Sequence, residues 1–203
     1  MLRVGLTGSI ATGKSLVAKQ FREFGISTID YDLLSREVVK PGLPAWREIV
    51  DYFGENILIA DQNLDRSKLG KIIFNNASKR NKLESFIHPR VYEAADRQEE
   101  LIIKSDPNAV IVHEVPLLFE VGRDKYMDKT VMVYCNEANQ LKRLMARNNM
   151  SEEDAMSRIR SQIPVEEKRR YADHVIDNNG TKKETKRQVL KLYQELSILA
   201  YRD

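Results

Sequence analysis

A single cysteine, Cys135, among 203 residues excludes an intrachain disulfide and any metal cluster built on cysteine. It lies in an apolar run, where a thiol is far more often a small buried hydrophobe than a nucleophile. No stretch approaches the roughly 18–20 consecutive apolar residues of a membrane-spanning helix. The apolar residues Leu2–Leu6 lead straight into a glycine loop with no cleavage-site pattern, and so read as a strand rather than a secretory leader. One-signed charge is also missing. The 33 basic and 30 acidic residues leave +3, too weak a bias to argue for nucleic acid. A cytoplasmic protein with neither membrane nor nucleic acid as partner is therefore expected. What the chain does have is 42% hydrophobic residues, enough for a substantial core.

Leu2–Leu6 reads as a buried strand. Val17, Phe21 and Phe24 then mark one face of a helix that Gly25 ends. Ile26–Ile29 is a second strand, closed by Asp30-Tyr31-Asp32, and strand–loop–helix–strand in this order opens a parallel α/β sheet. From Leu33 to Ser105 the pattern is helical, with breaks expected at Pro41-Gly42, around Asp61–Asp65 and at Pro89. Further strands are predicted over Ala109–His113, Thr130–Tyr134 and His174–Ile176, and a final helix over Thr181 to Ala200. The expected fold is α/β: a three-layer P-loop NTPase-like core around a five-stranded parallel sheet, with a helical insertion after the second strand.

Gly8-Ser9-Ile10-Ala11-Thr12-Gly13-Lys14-Ser15 matches the Walker A pattern in full. Glycines let the backbone aim its N–H groups at phosphates, and the helix that follows adds the positive end of its dipole. Lys14 can reach the β- and γ-phosphates of ATP, and the Ser15 hydroxyl can ligate Mg2+. The loop follows a strand and opens a helix, which is the context the motif needs. An Asn-Lys-x-Asp box for guanine is absent, and 203 residues are few for a motor. A small-molecule kinase fits best; a nucleotide-responsive binding protein is the rival from another class.

On such a sheet the acceptor lies beyond the C-terminal strand ends. Asp32 stands there, either to orient an acceptor hydroxyl and take its proton or simply to cap a helix. Between Gln140 and Arg170 eight Lys/Arg face five Asp/Glu, a local excess that suits a polyanion or a solvated helical surface. Leu141, Leu144 and Met145 form an apolar stripe, with Arg143 and Arg147 four apart on another face. Ser151-Glu152-Glu153-Asp154 opens a second helix with a capping-box-like pattern.

The chain resembles the dephospho-CoA kinase family. The resemblance rests on Gly5 to Ser15, Ile29-Asp30-Tyr31-Asp32 with Arg36, Val38 and Pro41-Gly42, His88-Pro89, and Val115-Pro116-Leu117-Leu118-Phe119-Glu120. It continues through Gln140 to Leu144 with Arg147, Gln162-Ile163-Pro164, Lys168, Ala172-Asp173 and Asp177 to Gly180. It implies ATP-dependent phosphorylation of the ribose 3′-hydroxyl of dephospho-CoA. It also implies three parts: a core over 1–32, 106–138 and 165–203, an acceptor region over 33–105, and a two-helix lid over 139–164. Asp32 then acts on the 3′-hydroxyl, while Arg143 and Arg147 clamp the polyphosphate. Asn178 and Gly180 pass the adenine edge or form a plain turn. His88-Pro89 contacts the acceptor or breaks a helix beside it. Leu117, Leu118 and Phe119 wall the acceptor's adenosine or belong to the core.

Three features depart from the family pattern. Ser9 and Ala11 stand where glycines are common, so their backbone angles must tolerate a β-carbon. Leu16 replaces a common threonine but keeps a backbone N–H for a phosphate. Glu114 replaces the aspartate that usually ends the third strand, leaving a part in magnesium binding open.

Overall fold

The computed structural model describes residues 1–74 and 76–201. Asn75, Arg202 and Asp203, which fall in the expected acceptor region and core, lie outside the described residues. In chain order the elements are β1 (Leu2–Gly8), α1 (Lys14–Glu23), β2 (Ser27–Asp30), α2 (Tyr31–Glu37), α3 (Pro44–Phe53), α4 (Arg66–Phe74), α5 (Ala77–Ser105), β3 (Val110–Glu114), β4 (Lys129–Tyr134), α6 (Glu137–Asn148), α7 (Glu152–Arg160), α8 (Val165–Lys168), β5 (His174–Asp177) and α9 (Lys182–Ala200). They form two compact units: Met1–Asp30 with Leu101–Asp203, and Tyr31–Glu100.

The first unit holds a five-stranded parallel sheet in the order β2-β3-β1-β4-β5. β1 is central, pairing Leu2–Leu6 with β3 and Val4–Gly8 with β4. The chain leaves β1 toward β2 on one side and later crosses from β3 to β4 on the other. The crevice at the C-terminal end of β1 is therefore the switch point where such sheets bind ligands. Along β1, Leu2, Val4 and Leu6 alternate onto one face, where Val17, Ala18 and Phe21 of α1 and Val189, Leu192 and Leu196 of α9 cover them. Gly5 faces the other way. A β-carbon on it would lie 2.9 Å from both Leu118 Cδ2 and Met127 Cγ, so this strand stays bare for the Pro116–Phe119 segment to pack on it. Each fully buried Leu or Phe in this core contributes about 1.5–3 kcal/mol.

Polar groups fix the far strands and the last helix. Asp173 Oδ2 accepts from the Thr130 N–H and hydroxyl, both at 2.7 Å, joining the starts of β4 and β5. Thr181 caps α9 in a capping box with Glu184. Gly180 precedes it because a β-carbon there would lie 2.3 Å from Glu184 Oε2.

The second unit is helical, around Val39, Ala45, Ile49, Ile57, Leu69 and Leu83. Pro44 starts α3 at a position where a missing N–H costs nothing. The break expected at Pro89 does not occur: α5 runs through it as one helix of 29 residues. The next residue, Arg90, donates from its guanidinium to the Phe86 carbonyl at 2.8 Å and to Glu48 Oε1 at 2.8 Å. Among the described residues no helix is long and apolar enough to cross a membrane.

Candidate functional site

The loop from Gly8 to Ser15 leaves the central strand and enters α1. A β-carbon on Gly8 would lie 2.5 Å from Thr12 Oγ1 and 3.2 Å from the Val133 carbonyl oxygen. Gly13 has φ 100°, and a β-carbon there would lie 2.1 Å from Asn178 Nδ2. Thr12 closes the turn, donating from its N–H at 3.2 Å and its hydroxyl at 2.9 Å to the Ser9 carbonyl. Ser9 Oγ is buried without a hydrogen-bond partner. α1 begins at Lys14 with no side-chain cap and no acid in its first turn, so its leading N–H groups suit an anion.

Charge agrees with this. The buried Glu114 carboxylate at the end of β3 sits between two cations, with Oε2 3.6 Å from Lys14 Nζ and Oε1 2.5 Å from Arg22 Nη1. The Glu114 carboxylate is thereby held between two cations, with Lys14 beside the loop where a polyphosphate would need it. Glu114 therefore positions Lys14. Arg22, its second partner, carried no signal in the sequence beyond helical spacing.

Ala11 adopts φ 61°, in the left-handed region where a β-carbon costs about 1–2 kcal/mol. This is the backbone reason glycine suits the position. Ser9 is not among the residues with positive φ, so a serine there meets no such strain. The Leu16 N–H, expected to meet a phosphate, donates to the Gly13 carbonyl at 2.9 Å within the first turn of α1. Ser15 lies one residue into α1 and is exposed.

α6 and α7 form a hairpin with its own small core of Leu144, Ala155 and Ile159, joined by Leu141, Met145 and Met150. Caps define it: Asn136 Oδ1 accepts from Asn139 N, and Ser151 Oγ from Asp154 N. Arg143 of α6 reaches the loop, donating to the Asn178 carbonyl at 2.7 Å and to the Thr12 carbonyl at 3.5 Å. Arg147 is exposed and donates to Asn148 Oδ1 at 2.8 Å. The nearby Cys135 is buried, and that burial holds its thiol above the ordinary range against the opposing pull of Arg143.

Asn178 is buried beneath the loop. Its Nδ2 donates to the Thr12 carbonyl at 2.7 Å, and its Oδ1 accepts from the Thr185 hydroxyl at 2.8 Å. Both ends of the amide are thus engaged by protein, and the side chain braces the phosphate loop. Gly180 likewise has its reason in the α9 cap. Leu118 is 0% exposed and packs on Gly5, so of its two readings the core holds and the acceptor wall does not. Leu117, beside it, is 41% exposed.

Asp32 and His88 belong to the second unit. Asp32 is exposed and lies in the first turn of α2, two residues after β2 ends. The His88 ring is half-buried, with its centroid 5.9 Å from that of Tyr92.

The sequence matches the dephospho-CoA kinase family over residues 2–184. The chain belongs to the dephospho-CoA kinase family. The dephospho-CoA kinase of Bacillus anthracis is 46% identical over 196 residues, 97% of this chain and 98% of that one. Among solved structures, a Thermus thermophilus protein superposes with a TM-score of 0.83 at 31% identity, covering 96% of each chain. The dephospho-CoA kinase of Campylobacter jejuni superposes with a TM-score of 0.64 at 30% identity, covering 97% of each. A P-loop kinase fold and a place at the last step of coenzyme A synthesis follow for this member of the family.

Proposed function

We propose that the chain transfers the γ-phosphoryl group of ATP to the ribose 3′-hydroxyl of dephospho-CoA, with its reacting groups drawn from the phosphate loop, Arg143 and Asp32. The observation that carries this is the loop: glycines at Gly8 and Gly13 where β-carbons would collide, Lys14 beside them, and an uncapped helix start. Family membership supplies the acceptor.

In this reading Asp32 accepts the proton of the 3′-hydroxyl as its oxygen forms a bond to the γ-phosphorus. The bond from that phosphorus to the bridging oxygen breaks, and ADP leaves with the electron pair. Lys14 and Arg143 offset charge on the transferring group, while the loop's N–H groups hold the phosphates in line. Among the described residues no cluster of three His, Cys, Asp or Glu side chains is built to hold a metal alone. The donor set fits Mg2+ through the exposed Ser15 hydroxyl together with the nucleotide's own oxygens, and the ion would neutralise phosphate charge there. Arg147 and the α6–α7 hairpin act as a lid in this scheme, and the family reading assigns Leu117 and His88, each in its own unit, to the acceptor.

Asp32→Asn tests the assignment. Turnover is expected to fall by about 100-fold or more with ATP affinity unchanged; undiminished turnover would remove Asp32 from the reaction.

A further inference from the structure

Two glutamines from opposite ends of the α6–α7 hairpin meet at one residue of the phosphate loop. Gln162, just beyond α7, accepts from the Ile10 N–H through Oε1 at 2.8 Å. Gln140, in the first turn of α6, donates from Nε2 to the Ile10 carbonyl at 2.8 Å. Both backbone polar groups of Ile10 are thereby taken by side chains 130 and 152 residues away. Gln140 is 1% exposed, so its amide has no water to fall back on. The side chains of Ile10 and Ala11 reinforce the tie by packing into the hairpin core against Leu144, Ala155 and Ile159.

A loop tip held this way cannot keep its shape if the hairpin shifts. Three of its groups would change surroundings together: the Ile10 N–H, the Ile10 carbonyl and the left-handed Ala11. We propose that Gln140 and Gln162 are positioning residues for nucleotide binding, which set the tip of the phosphate loop through the backbone of Ile10 and couple its shape to the α6–α7 hairpin. Neither glutamine touches the reacting atoms in this scheme. The inference rests on the nucleotide reading of the loop.

The two bonds run in opposite directions, which gives a test by charge. Gln162→Glu keeps an acceptor oxygen facing the Ile10 N–H. Gln140→Glu removes the donor and sets an oxygen against the Ile10 carbonyl. ATP affinity is measured by calorimetry, with KM for ATP, KM for dephospho-CoA and kcat in parallel, on variants shown to be folded by their melting curves. Gln140→Glu is expected to weaken ATP binding by at least about tenfold, and Gln162→Glu by less than about threefold. Gln162→Leu, which has no acceptor, should match Gln140→Glu, while KM for dephospho-CoA stays put in all three. Equal effects of the two glutamates, or a loss confined to kcat, would overturn the proposal. If Gln140→Glu fails to fold, Gln162→Glu against Gln162→Leu decides it alone, since equal ATP affinities there would refute the role of Gln162. Wild-type protein that binds no ATP would instead refute the nucleotide reading on which the proposal stands.

Discussion

Asn178 Nδ2 donates to the carbonyl of Thr12 at 2.7 Å, joining the loop after β5 to the phosphate loop across 166 residues. The same nitrogen occupies the space a β-carbon on Gly13 would need. Gly13 is therefore required twice, for its positive φ and for the amide that braces the peptide before it. Asn178→Asp sets a carboxylate oxygen against the Thr12 carbonyl, and Asn178→Ala leaves the Thr185 hydroxyl without one of its partners. Both should lower stability, by about 1–3 kcal/mol for a buried group left unpaired, and both should weaken ATP binding. A brace beneath the phosphates acts on any nucleoside triphosphate. The ratio of ATP to GTP affinity should therefore stay unchanged, and titration of the two nucleotides checks it. A changed ratio would return Asn178 to the base.

Ala11 is a balance of small quantities. Left-handed backbone costs alanine about 1–2 kcal/mol, which glycine would relieve. Glycine would give back about 0.4–1 kcal/mol through its freer unfolded chain, and roughly 0.8 kcal/mol with the methyl packed into the hairpin core. Ala11→Gly should therefore move stability by less than about 1 kcal/mol. Ala11→Val adds branching where left-handed backbone tolerates it least, and should cost more than about 2 kcal/mol. Urea denaturation of the two variants measures the difference.

Asp173 gives the fold an acid limit. Burial pushes its carboxyl up, but the Thr130 hydroxyl and N–H donate to the charged form and hold it below the ordinary aspartate range. A depressed carboxyl stabilises the fold above its unfolded value, and that stability is lost as pH falls through the lower folded value. The loss thus belongs below about pH 4. Thr130→Val removes the hydroxyl and should lower the melting temperature at pH 7. The gap from wild type should narrow as pH drops below 4, and a gap constant from pH 7 to 3 would contradict the assignment.

Much of this was legible in the sequence. The five strands, the phosphate loop, the cap at Ser151, the start of the last helix at Thr181 and the stripe of Leu141, Leu144 and Met145 all follow from local pattern: period two, period near 3.6, and the residues that open helices. What escaped depends on contacts between distant segments. Nothing near Asn178 in sequence says that its amide meets Thr12, and nothing near Leu118 says that it fills the space above Gly5. Pro89 reads as a break because proline removes a helical N–H, yet α5 continues through it as one helix. One faint signal did exist for the hairpin. Gln140 precedes Leu144 by four residues on the buried face of α6, and an uncharged amide in an apolar stripe implies a buried partner.

The most direct test of the central claim is to incubate the purified chain with Mg-ATP and dephospho-CoA and analyse both products. The account predicts ADP and coenzyme A in equal amounts, with the new phosphate on the ribose 3′-oxygen. ATP binding with no phosphorylated dephospho-CoA formed would contradict it.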